Sequence, residues 1–266
     1  MLFFQPVGKH RFSTPLAVYA LIAISVLAYA FTALDSENII KSFGLVPARF
    51  SFIDSVISTF LHSGIFHLIG NMIFLYMFGP GVEDVVGPFM FVLLYLILAV
   101  ISDSCYAWMN LQSTLPVVGA SGAVSGILGV FLVFFPNVKV NLFLAADSEA
   151  SASGPFLMNA FWAIGFWFAG QLLWAILALA LPTHVAYAAH VGGLIGGVIL
   201  GLLLKAAGFL DSFHARVRRT RGSSKPTVYC PACALPIAPT EFGRYRCPNC
   251  ASEFTFDVKR GYRLLQ

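Results

Sequence analysis

Apolar residues gather into six long runs, approximately Pro15–Leu34, Ser58–Gly79, Phe89–Trp108, Gly119–Phe135, Phe156–Leu181 and Ala186–Leu204, separated by polar or Pro/Gly breaks. A bilayer's hydrocarbon core takes about 20 mainly apolar residues per helix, and backbone groups inside it must be satisfied within the segment. The runs therefore predict six transmembrane helices. Asp103 is the one acidic or basic residue inside any of them. The first run is too long for the apolar stretch of a signal peptide, so it is expected to be retained, with Met1 as the start.

Composition agrees: 58% of residues are apolar and 11% charged, against about 25% charged in soluble domains. That excludes a soluble globular protein, a disordered chain and collagen. Charge is also divided. Residues 1–204 carry 5 Lys/Arg and 8 Asp/Glu, a net −3, and residues 205–266 carry 11 and 4, a net +7. Short cytoplasmic loops retain Lys and Arg. With both termini inside, the inner segments hold Lys9, Arg11, Lys139, Lys205 and the run Arg216–Lys225, leaving Lys41 and Arg49 outside. Spans two, four and six then run from outside to inside. The expected organisation is a six-helix domain over 1–204, a basic cytoplasmic linker over 205–227 and a small domain over 228–266. The linker's basic run is read as a topological signal attracted to anionic lipid, and not as a nucleic-acid-binding surface.

Candidate chemistry clusters at the outer ends of those three spans. Span four opens with Gly119-Ala120-Ser121-Gly122. A hydroxyl at a helix N-terminus can act as a nucleophile, because oriented N–H groups stabilise an oxyanion; a small-Ser-small sequence also suits close helix packing. Span six places His190 about one turn from its outer end, and an ionisable residue inside a membrane span is a functional candidate. Glycines four apart (Gly122 and Gly126; Gly193, Gly197 and Gly201) would let the two backbones approach closely. A hydrogen bond between Ser121 and His190 requires such an approach. On span two, His67 and Asn71 share one helix face and could either donate to a carbonyl oxygen turning negative or tie the helix to its neighbours.

The set His67-x-x-x-Asn71, Gly119-x-Ser121-Gly122 and Ala189-His190-x-Gly192-Gly193, in that order on spans two, four and six, resembles the rhomboid intramembrane serine proteases. The resemblance extends to Phe60-Leu61-His62, Gly79-x-x-Val82-Glu83-x-x-x-Gly87 and Tyr95. It implies an all-α polytopic membrane protein, a rhomboid-like bundle, that hydrolyses peptide bonds in or near transmembrane helices. It implies Ser121 as nucleophile and His190 as general base and later acid. His67, Asn71 and the Ser121 backbone N–H would form the oxyanion hole, with Gly119 and Gly122 acting through backbone space. No cofactor is expected for catalysis; the implied partners are transmembrane substrates and the lipid bilayer.

The aromatic residue that many members carry four positions after the nucleophile is Ser125 here, so Ser125 or water is expected to orient His190. Asp103 could be imagined as a triad acid, although the resemblance implies a dyad. Glu83 reads as a hydrogen-bond anchor in the loop after span two. His62 either supports His67 or packs. Cys105 reads as a small buried packing residue. The aromatic-rich fifth span, with Phe161, Trp162, Phe166, Trp167, Phe168 and Trp174, faces lipid or, as the resemblance suggests, forms a movable gate.

The tail carries Cys230-x-x-Cys233 and Cys247-x-x-Cys250, separated by 13 residues. Paired knuckles of this kind suit tetrahedral zinc, and a reducing cytoplasm disfavours the disulfide alternative. The tail is thus expected to be a small β zinc ribbon holding a structural Zn2+, with a cytoplasmic protein as its partner. The expected location is the bacterial inner membrane. Two rival functions remain: a rhomboid-like protein that binds transmembrane segments without cutting them, and a transporter, for which repeated halves or broken helices would be anticipated.

Overall fold

The structure, a computed structural model, describes residues 2–6, 14–144, 156–178, 185–223, 228–229, 236–237, 243–247, 250–257 and 261–264. It divides into two units, 1–211 and 212–266.

The first unit is built from the apolar runs. Strand β1 (Leu2–Pro6) precedes helices α1 (Leu16–Thr32), α2 (Ser36–Phe43), α3 (Phe52–Ser58), α4 (Ile65–Val86), α5 (Pro88–Met109) and α6 (Ser121–Phe134), with a 3-10 turn at Pro47–Arg49 between α2 and α3. Strands β2 (Lys139–Leu144) and β3 (Phe156–Asn159) then lead to α7 (Ala160–Leu177), α8 (Tyr187–Ala206) and α9 (Phe209–Ser223), whose later residues belong to the second unit. The β strands form one antiparallel sheet in the order β1-β2-β3.

Each predicted span contains a helix, yet not all are long enough to cross. Among the described residues four helices are, namely α4, α5, α7 and α8, or five if α1 and α2, bent by 120° at a short break, count as one span. The expected six full spans are thereby corrected. Helix α6 has 14 residues, about 21 Å at about 1.5 Å per residue, short of a core about 30 Å thick. It is also the most enclosed helix, buried continuously from Gly122 to Phe131. A helix surrounded by other helices need not reach both surfaces, so its N-terminus can lie at depth.

Several span boundaries move for local reasons. The second begins at Ile65, not Ser58, because Ser58 ends α3, a helix capped where Ser51 Oγ accepts from Asp54 N. It continues through Pro80 to Gly87, whose φ of +85° suits glycine and stops the helix. Proline inside a membrane helix is tolerated where neighbouring groups compensate. The fifth begins at Ala160, because Phe156–Asn159 pairs with Lys139–Leu142 as a strand. A short apolar run does not reveal which state it adopts. Glu83 lies inside α4, not in the loop after it. Its two carboxylate oxygens accept from Ala17 N at 3.0 Å and Val18 N at 2.9 Å. They satisfy N–H groups at the start of α1 that no neighbouring residue caps.

Helices α6 and α8 share the most extensive packing in the unit. A Cβ at Gly193 would strike the carbonyl oxygen of Gly122, and one at Gly197 that of Gly126. The absence of side chains brings the two backbones into direct contact.

In the second unit, β4 (Val228–Tyr229) pairs antiparallel with β5 (Pro236–Ile237), while β6 (Gly243–Arg246), β7 (Glu253–Asp257) and β8 (Gly261–Leu264) form an antiparallel sheet. Much of the stretch read as linker is the helix α9. Between β6 and β7, Cys247 is buried and Cys250 exposed. Their turn is closed by Ala251 N donating to Cys247 O and Cys247 N to Ser252 O, both at 2.9 Å. Ala251 adopts a φ of +60°. Cys230 and Cys233 lie outside the described residues, and among those described no group of three or more His, Cys, Asp or Glu could hold a metal ion.

Candidate active site

Ser121 is the first residue of α6 and His190 the fourth of α8, so both sit at the same end of the glycine seam. The His190 Nε2 to Ser121 Oγ distance is 2.8 Å, and both residues are half-buried. They line a cavity of about 720 Å³ together with His67, Asn71, Gly119, Gly122, Asp103, Trp167 and Gln171. Every candidate from the three membrane spans therefore faces one chamber.

The backbone before Ser121 is fixed on both sides. Leu45 and Val117 exchange hydrogen bonds, and Gly119 N donates to Ser58 O at 2.9 Å. Gly119 has a φ of +128°, and a Cβ there would lie 2.6 Å from His67 Cε1. Glycine is needed twice over, for the backbone angle and for room beside the imidazole. Gly122 serves a different contact: a Cβ there would collide with Ser102 Oγ. Ser102, buried on α5, donates to Ala189 O at 3.0 Å, immediately before His190. The small residue after Ser121 thus admits a side chain that anchors the α8 backbone beside His190.

His67 is the third residue of α4, its Nδ1 3.2 Å from Ser63 Oγ. Asn71 follows one turn later and is buried, and its Nδ2 has no hydrogen-bond partner among the described residues. A buried donor without a partner is costly; here it is next to the chamber, where a ligand oxygen could accept from it. His62, also buried, packs edge-on against His67 with ring centroids 5.2 Å apart.

The orientation of His190 differs from expectation. Ser125 does not reach His190: its hydroxyl donates to Ser121 O at 2.7 Å, a bond within α6. The imidazole is instead held by Gln171 of α7, whose Oε1 is 2.7 Å from His190 Nδ1. Trp167 stacks on the ring at 6.3 Å and Tyr187 meets it edge-on at 6.1 Å. These aromatics come from α7 and α8, while α6 carries Ser125 at the position where the resemblance would place one. Asp103 accepts from Ser55 Oγ at 2.7 Å and joins α5 to α3. Cys105 is half-buried against Gly192.

Residues 49–207 match the Rhomboid domain, more than half of the chain. The chain belongs to the rhomboid family. It is an integral membrane protein, and the matched domain contains Ser121, His190, His67, Asn71 and Gln171 of the chamber. Residues 227–263 match a separate domain of unknown function (DUF8512). Rhomboid protein 1, mitochondrial, of Saccharomyces cerevisiae is 29% identical over 200 residues, 71% of this chain and 54% of that protein. Rhomboid-like protein 11, chloroplastic, of Arabidopsis thaliana is 32% identical over 160 residues, 59% and 53% respectively. RHOMBOID-like protein 6, mitochondrial, of the same plant is 31% identical over 149 residues, 56% and 42%. The chain spans about half the length of these relatives.

Proposed function

We propose that this rhomboid is an intramembrane serine endopeptidase that hydrolyses peptide bonds in or near the transmembrane segments of membrane proteins. The observation that carries this reading is the 2.8 Å contact between His190 Nε2 and Ser121 Oγ at the wall of the chamber. In the forward step Ser121 Oγ transfers its proton to Nε2 and adds to the scissile carbonyl. His190 then protonates the leaving amine, and water, activated by the same ring, releases the acyl group. The oxyanion is assigned to the Ser121 backbone N–H, His67 and Asn71. The buried Asn71 Nδ2 supports that role, because the transition state supplies the acceptor it lacks. Gly119 and Gly122 keep His67 and the α8 backbone in place.

The test is cleavage of a panel of single-span substrates in proteoliposomes, with products mapped by mass spectrometry. Wild type is expected to cut and Ser121→Ala to leave every substrate intact. Tight binding without cutting by wild type would replace the protease with the segment-binding reading.

We also propose that Cys230, Cys233, Cys247 and Cys250 hold a structural Zn2+ in the tail. The buried Cys247 in a closed turn between antiparallel strands supports this: a domain this small needs the folding free energy of a metal. The chemistry that zinc would supply is structural, with the tail serving as a cytoplasmic protein-contact module. Both termini inside is the orientation favoured by the placement of Lys and Arg; the membrane proposed is a bacterial inner membrane.

A further inference from the structure

A serine is activated by only one of the two neutral forms of imidazole. If Nε2 carries the proton, it donates to Ser121 and cannot accept from it; if Nδ1 carries it, Nε2 presents a lone pair. The form present is set by the partner of the other nitrogen. In this chain that partner is Gln171 Oε1, 2.7 Å from Nδ1. An amide oxygen accepts and does not donate, so it favours the Nδ1–H form.

We propose that Gln171 is the positioning residue of the dyad, fixing the His190 tautomer and ring orientation as an uncharged third member. This inference rests on the protease reading above. Gln171 acts through His190 and does not touch the reacting atoms. Its setting fits the task. It lies one turn after Trp167, which stacks on the same imidazole, so one face of α7 supplies both the hydrogen bond and the stacking contact. The remainder of α7 is lightly held: its buried residues are Ala160, Ala163 and Ile164, all in the first turn and a half. A Cβ at Gly165 or Gly170 would meet nothing within 4 Å. Seating of α7 against α8 therefore governs whether the base is correctly protonated, and a displacement that breaks the 2.7 Å contact leaves serine and histidine adjacent with neither tautomer favoured.

The test uses the full chain, wild type, Gln171→Leu and Gln171→Glu, in proteoliposomes. Three quantities are read: kcat and KM for a cleaved transmembrane peptide, the rate of Ser121 labelling by a fluorophosphonate, and the 15N spectrum of His190. Gln171→Leu is expected to lower kcat and labelling by about 10–100-fold with KM nearly unchanged, the range typical of partners that orient a functional histidine. Gln171→Glu, which keeps the size and the acceptor, is expected to restore most of the rate. In wild type and Gln171→Glu the spectrum shows the proton on Nδ1, and in Gln171→Leu it shows a mixture. Wild-type rates in Gln171→Leu, or an Nε2–H imidazole in the wild type, would overturn the proposal. Should Gln171→Leu fail to fold, Gln171→Glu and the wild-type spectrum still decide. If wild type neither cuts nor labels, the protease reading falls, while the spectrum separately reports whether Gln171 sets the tautomer.

Discussion

Ser121 and His190 are 69 positions apart in sequence and 2.8 Å apart in space. Both were legible from the chain, because a serine between small residues and a histidine inside an apolar run are conspicuous in a setting where polar groups are costly. Gln171 and Ser102 were not. A single glutamine in a helix rich in Phe and Trp belongs to no spacing pattern, and a serine in a membrane helix is an ordinary packing residue. Their roles arise from what α8 presents to them. Asn71 allows a residue-scale prediction. Its side chain can satisfy Nδ2 on an oxyanion, so Asn71→Ala should lower kcat by about 10²–10³-fold, the usual loss for one oxyanion donor, while leaving labelled and folded protein recoverable. Unchanged cleavage kinetics would remove Asn71 from the oxyanion site.

At the scale of elements, the decisive feature is the seam between α6 and α8. Hydropathy identified both helices, and the four-residue glycine spacing predicted their close approach. What hydropathy could not show is that α6 stops after 14 residues, since an apolar run reads alike whether it crosses a bilayer or ends inside a bundle. Nor did it show α2, α3 or β1-β2-β3, whose pairing joins residues more than 130 positions apart. The seam leaves no room for added bulk. Gly197→Ala would push a methyl into the Gly126 carbonyl, an overpacking expected to cost about 1–3 kcal/mol. The accompanying shift of His190 should lower cleavage by on the order of 10²-fold. Gly165→Ala on α7, which meets open space, should change neither. Thermal unfolding in detergent and cleavage in proteoliposomes check both; equal behaviour of the two variants would contradict the role given to the seam.

At the scale of the whole molecule, the candidate active site lies in the first unit and the second has a different physical basis. The rhomboid domain is stabilised by apolar helices in lipid and by buried anchors such as Glu83. Among its described residues the tail has two small antiparallel sheets, and a domain of its size can bury little apolar area. Its cysteine spacing and its β character were readable in the sequence, whereas the register of its strands emerges only from pairings that a short stretch does not determine. Purified full-length protein is expected to contain about one zinc per chain, as four thiolates bind one tetrahedral ion. Chelation should expose the tail to proteolysis and leave cleavage by the rhomboid domain intact. Zinc-free protein with a protease-resistant tail would contradict the metal assignment.

The most direct measurement is the reaction of the full chain in liposomes with a fluorophosphonate, followed by peptide mapping of the adduct. A single adduct on Ser121, formed by wild type and suppressed in His190→Ala, is the predicted result. Equal labelling of the two proteins, or no adduct at Ser121 while the chamber remains open to the reagent, would contradict activation of this serine by this histidine.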